Sequence, residues 1–89
     1  MATEDGTHIR FTLREPDPRK KTLFWWVLSK HDLTTLGGIG WFGRWRKYAF
    51  FPKRDTAYEE VCLRELAAFC ERKTVEHKRM RKESPAKSP

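Results

Sequence analysis

The sequence predicts a small α+β fold, an antiparallel β-meander of three to four strands with one C-terminal helix packed on one face. Three observations lead there. Apolar residues alternate with polar ones over residues 9–14, which is the period of a half-buried strand. Further β-rich runs follow at 22–30, 34–42 and 45–51, punctuated by Pro, Gly and Asp. Apolar residues then recur with the 3.6-residue period of a helix from Tyr58 to Cys70.

The chain has 89 residues, enough for one domain with a small core. Residues 1–7 are polar and expected to be disordered. In the first strand, Ile9, Phe11 and Leu13 share one side and Arg10, Thr12 and Arg14 the other. Its outward cations suit a sheet edge. Pro16 and Pro18 end it, because proline has no N–H for a ladder.

The second strand, 22–30, is apolar on both faces and belongs at the centre. Trp25 and Trp26 are neighbours, so they point to opposite faces. Lys30-His31-Asp32 marks a turn. The third strand carries Gly37, Gly38 and Gly40, which in a strand signal a bulge, a bend or the close approach of another group. Gly43-Arg44 is expected to make a tight hairpin into the fourth strand, which Pro52 closes.

The helix is expected to begin at Thr56 as N-cap, with Glu59 completing a capping box. Tyr58, Cys62, Leu63, Leu66, Phe69 and Cys70 form its core stripe. One domain is thus expected over 8–74. Helical residues continue to about Lys82 without an apolar face, and 75–89 reads as a basic, largely disordered tail.

A single helix covers one face of a sheet, yet the strands carry large rings on both. The second face is therefore covered by another copy, met by a partner, or exposed, and exposed aromatic patches mark interaction sites. The segment 38–52 holds six aromatic and three cationic residues among fifteen. Rings interleaved with Arg and Lys suit flat, negatively charged partners, through stacking, cation–π and phosphate contacts. Arginine can also contact a guanine edge. The net charge of +7 favours polyanions.

The candidate binding residues are Trp41, Arg44, Trp45, Arg46, Lys47 and Tyr48 at the hairpin, Lys53 and Arg54 beyond it, and Lys78, Arg79, Arg81 and Lys82 in the tail. Alternatively Trp45 and Tyr48 pack inward while the cations extend to water. The tail adds salt-sensitive, sequence-independent affinity for nucleic acid. Trp, Tyr and Arg are also the residues of protein interface hot spots. The partner expected is nucleic acid, DNA or RNA, or alternatively a host protein, with a homodimer through the open sheet face as a third option.

Catalysis has little support. His8, His31 and His77 show no metal-ligand spacing, and Cys62 and Cys70 lie on the predicted core stripe of the helix. No phosphate-cradling glycine loop occurs, since Gly37-Gly38-Ile39-Gly40 lacks the downstream Lys and Ser/Thr. No enzyme and no cofactor are expected. The two cysteines stand eight residues apart in one helix, about 12 Å, too far for a disulfide. They read as reduced thiols of a cytoplasmic protein. Leu23–Leu28 is far too short to span a bilayer.

The run Leu36-Gly37 … Ile39 … Trp41 … Trp45-Arg46 … Tyr48 … Phe50 … Pro52, followed by Thr56 … Cys62-Leu63 … Leu66-Ala67 … Phe69, resembles a pattern in small uncharacterised proteins of phage and prophage genomes. The resemblance spans roughly residues 22–70. It implies a phage or mobile-element setting and a compact β-meander with a following helix. The architecture is also similar to AP2-type and integrase arm-binding domains, which lay a sheet into the DNA major groove through Arg and Trp side chains. That similarity implies such a part for Arg44, Arg46 and Lys47 with Trp41 or Trp45. An inhibitor or adaptor acting on a host or defence protein is the alternative that fits a phage setting.

Overall fold

The computed structural model describes residues 3–83, the side chains of 81–83 excepted. Five strands are present: β1 (Thr3–Asp5), β2 (Ile9–Leu13), β3 (Phe24–Ser29), β4 (Thr35–Phe42) and β5 (Lys47–Pro52). They form one antiparallel sheet in the order β1-β2-β3-β4-β5, and α1 (Glu60–Glu83) follows. The fold is α+β, a meander with a C-terminal helix on one face.

Register divides the side chains between the faces. Phe11 lies opposite Val27 and Leu13 opposite Trp25, while Thr12 pairs with Trp26 and Arg10 with Leu28. Trp25 and Val27 turn towards the helix and are buried, whereas Trp26 stands on the other face. The β3–β4 pairing steps from Val27↔Gly37 to Leu28↔Thr35, so Leu36 is the extra residue of a bulge.

The core lies between sheet and helix. Phe69 of α1 stacks on Phe11 with centroids 3.9 Å apart, and Trp25 meets it edge-on at 5.2 Å. Ile9, Val27, Ile39, Tyr48 and Leu66 complete the buried cluster. Each such side chain contributes about 1.5–3 kcal/mol by leaving water.

Four expectations need correction. The sheet has five strands rather than three or four, because Thr3–Asp5, expected to be disordered, forms β1 on the outer side of β2. Charge holds it there. Asp5 pairs with Arg10 across the strands, and Glu4 reaches Arg72 and Lys73 of the helix. The edge position expected for β2 therefore belongs to β1.

The β4–β5 connection is a four-residue turn, not a tight one. The Phe42 carbonyl accepts from the N–H groups of Trp45 and Arg46, and Arg46 takes a positive φ of 56°. Trp45 and Arg46 thus lie in the turn, and strand alternation resumes only at Lys47.

The helix starts at Glu60. Glu59 acts as its N-cap, its carboxylate accepting the Cys62 N–H at 2.7 Å. Thr56 instead donates to the Lys53 carbonyl and shares a hydrogen bond with Tyr58.

The helix runs to Glu83, within a residue of the Lys82 expected, and so takes in much of the segment read as tail. Its inward stripe continues past Cys70 with Lys73, Thr74 and His77, whereas Leu63 is half exposed. The disorder expected at residues 1–2 and 84–89 lies outside the described residues.

Candidate functional site

The face away from the helix carries Phe24 and Trp26 of β3, Phe42 of β4 and Phe51 of β5. Gly38 lies between Trp26 and Phe51 in register, and Gly40 between Phe24 and Ala49. These glycines leave a slot that the Phe24 ring fills. A Cβ at Gly38 would overlap Phe24 Cζ, and one at Gly40 would come within 3.0 Å of Phe24 Cδ2. Phe24 is thereby half buried on a face that no helix covers among the described residues.

Around this floor the rings stand freer. Trp26 meets Phe24 edge-on at 5.0 Å and is 42% exposed. Phe51 is 44% and Trp45 63% exposed. Phe42 links the last two, edge-on to Trp45 at 4.6 Å and to Phe51 at 6.3 Å. The guanidinium of Arg14 sits over the Phe24 ring, 4.4 Å from its centroid.

Ion pairing sorts the cations. Arg10 is held by Asp5, Arg19 by Asp17, Arg64 by Glu60, and Arg72 and Lys73 by Glu4. Arg14, Lys20, Arg44, Arg46 and Lys47 make no ion pair among the described residues. Of these, Lys47 opens β5 opposite Phe42, and Arg44 and Arg46 flank Trp45 in the turn. Lys21, Lys30, Lys53, Arg54, Lys78 and Arg79 are likewise without an ion pair among the described residues, so what sets Arg14, Arg44, Arg46 and Lys47 apart is their place beside the open-face rings.

The residues expected to form the site are not all brought together. Tyr48 is buried: its hydroxyl accepts the Leu23 N–H at 3.0 Å, and its ring meets Trp25 edge-on at 5.3 Å. Trp41 lies on the same inner side, 5.3 Å from Tyr48 and 4.5 Å from His77. Alternation from Lys47 and Phe42 sends both towards the helix and away from the open face. Arg44, Trp45, Arg46 and Lys47 remain together. Lys53 and Arg54 are exposed beyond the far end of β5, about 17–20 Å away for a strand of that length. Lys78 and Arg79 are exposed on the helix, and Arg81 and Lys82 fall in its last turn.

Sequence reasoning missed Arg14, Phe24, Trp26 and Phe51 as site residues. The signal for them was a second parity of rings in β3 facing glycines in β4. The Arg14–Phe24 contact had none, because it joins the end of β2 to the start of β3 across an intervening loop.

The histidines and a cysteine meet elsewhere. His8, His31 and Cys62 line one cavity of about 300 Å³ with Glu59, and the two imidazole rings are 6.0 Å apart. Burial, then a hydrogen bond to the Glu59 carboxylate, pushes the Cys62 thiol up, which keeps it protonated. Among the described residues no group of three or more His, Cys, Asp or Glu is placed to hold a metal ion. No described helix is long and apolar enough to cross a membrane. Comparison of the chain with protein-family models, curated proteins and solved structures finds no match.

Proposed function

We propose that this chain is a non-enzymatic, phage-type accessory protein that binds single-stranded nucleic acid on the open face of its sheet. The observation that carries the reading is the grouping of exposed Trp26, Phe51 and Trp45 with Arg14, Arg44, Arg46 and Lys47, none of them ion-paired among the described residues. Exposed rings stack on base faces, which a duplex hides and a single strand presents. Each stacked base is worth about 1–3 kcal/mol. The free cations neutralise phosphates on either side.

Titration of labelled single- and double-stranded DNA and RNA at several salt concentrations tests this. Single strands should bind more tightly than duplexes of the same sequence, with affinity falling as salt rises. Trp26→Ala and Trp45→Ala should each weaken binding about tenfold or more with the fold intact by far-UV circular dichroism. Absence of binding at low salt, or binding indifferent to both substitutions and to Arg44→Ala, would sink the reading.

A second reading uses the same patch for a protein. Trp26, Phe51 and Trp45 form an aromatic cluster with an arginine beside it, the composition of an interface hot spot. An inhibitor or adaptor of a host protein would retain a stoichiometric partner from host lysate after nuclease treatment and in screening salt.

A further inference from the structure

We infer that the cavity where β2 leaves the sheet and β3 enters it is a subsite for one guanine base, an inference that rests on the single-strand reading above. The cavity has a volume of about 240 Å³. Phe24, Gly40 and Phe51 of the open face bound it on one side, and Arg14, Glu15 and Lys20 of the segment leaving β2 on the other. Pro16 and Pro18 force the chain out of the sheet there. The Lys20 N–H donates to the Asp17 carbonyl at 2.9 Å, folding the segment into a wall.

Size and lining restrict the occupant. Pockets for drug-sized ligands begin at roughly 300 Å³, so this one suits a single planar ring system. The exposed Phe51 ring gives it an apolar side on which a base stacks, while Phe24, seated over the glycines and capped by Arg14, forms the floor. Two carboxylates in the lining, Glu15 and Asp17, oppose entry of a phosphate.

The polar groups then select among bases. The Arg14 guanidinium is seated over Phe24 at 4.4 Å and makes no ion pair among the described residues, so its donors are available. Glu15 is exposed and likewise makes no ion pair among the described residues, so its oxygens are available as acceptors. Guanine alone among the four bases shows two acceptors, O6 and N7, on one edge and the donors N1–H and N2–H on the adjoining one. Arg14 matches the first edge and Glu15 the second. Adenine sets its N6 amino donor against a guanidinium, which only donates, and the pyrimidines lack the O6/N7 pair.

Fluorescence anisotropy with a labelled short oligo-dT, and with the same oligonucleotide carrying a single central dG, dA or dC, tests the subsite. The dG oligonucleotide should bind about tenfold more tightly than the other three, the discrimination of one bidentate contact. Arg14→Lys keeps the charge but loses the fork, so it should bring the dG oligonucleotide down to the affinity of the other three. Glu15→Gln should reduce the preference. Equal affinity for all four oligonucleotides, with binding still sensitive to Trp26→Ala, would overturn the guanine subsite and leave the single-strand reading standing. A dG preference that survives both Arg14→Lys and Glu15→Gln would also overturn it. Failure to bind any of the four would overturn both.

Discussion

Thr74 ties the helix to the edge of the sheet through Tyr48. Its Oγ1 accepts the Tyr48 N–H at 2.9 Å and donates to the Cys70 carbonyl at 2.8 Å. β5 is an edge strand, and an unpartnered amide there is open to pairing with other chains. Thr74 closes that position and is itself buried.

Thr74→Val keeps the shape and removes the acceptor. The buried Tyr48 N–H then lacks a partner, at a cost of about 1–3 kcal/mol. In urea denaturation the midpoint should fall with the slope unchanged, and Thr74→Ser should restore most of the loss.

Gly38 is held small by the Phe24 ring above it. Gly38→Ala should destabilise the protein by about 1–3 kcal/mol, because the ring must leave its slot or the strand must shift. In a Phe24→Ala background the same substitution should cost much less. Denaturant melts of the two single variants and the double variant give the coupling energy, and additivity would refute the contact.

Burial pushes the Cys70 thiol up to about 11, from an ordinary value of 9.0. Between those values the folded protein holds a proton that the unfolded chain releases. The contribution of Cys70 is therefore complete below pH 9 and declines as pH rises towards 11. The Tyr48 hydroxyl, also raised by burial, acts in the same direction. Melting temperature should drop across this window, and less steeply in Cys70→Ala. Alkylation of the folded protein at neutral pH should be slow at Cys70, since its thiolate is scarce.

Glu4 links β1 to the helix. Burial alone raises its carboxyl, but the hydrogen bonds and charges of Lys73 and Arg72 outweigh this and hold it below the ordinary 4.5. Its stabilisation is present above that value and is lost as pH falls through the lower, folded one. Hydrogen exchange at Thr3–Asp5 should quicken in acid. Glu4→Gln should produce the same loss of protection already at neutral pH.

Much of the meander was legible because alternation reports faces. Ile9 with Phe11, and Trp25 against Trp26, sort as a period of two requires. The helix was legible from Cys62 to Cys70, where its inward residues are apolar or thiol-bearing. What was hidden is that its continuation keeps an inward face, because Lys73, Thr74 and His77 are polar and their seats depend on partners distant in sequence. Lys73 needs Glu4, Thr74 needs Tyr48, and His77 lies against Trp41. β1 was hidden for the same reason, since Glu4 and Asp5 show no apolar period and are held by charge.

The open face was half legible. Rings of both parities in β3 required one set of them to lie away from a single helix, and the free cations at 44–47 were visible as a run. Trp41 and Tyr48 were grouped with that run because the length of the turn was misread. Once Arg46 adopts a positive φ, Trp45 belongs to the turn and Tyr48 falls on the inner parity.

By itself the sequence determined the α+β class, the parity of β2 and β3 and the excess of positive charge, because periodicity and composition are local properties. Only the tertiary structure decided which cations are paired, that the helix keeps an inward face past Cys70, and that Arg14 sits on Phe24 beside the glycines of β4. Those outcomes depend on contacts between residues far apart in the chain, such as Glu4 with Lys73 and Phe24 with Gly38, which exist only when strands and helix are assembled in register.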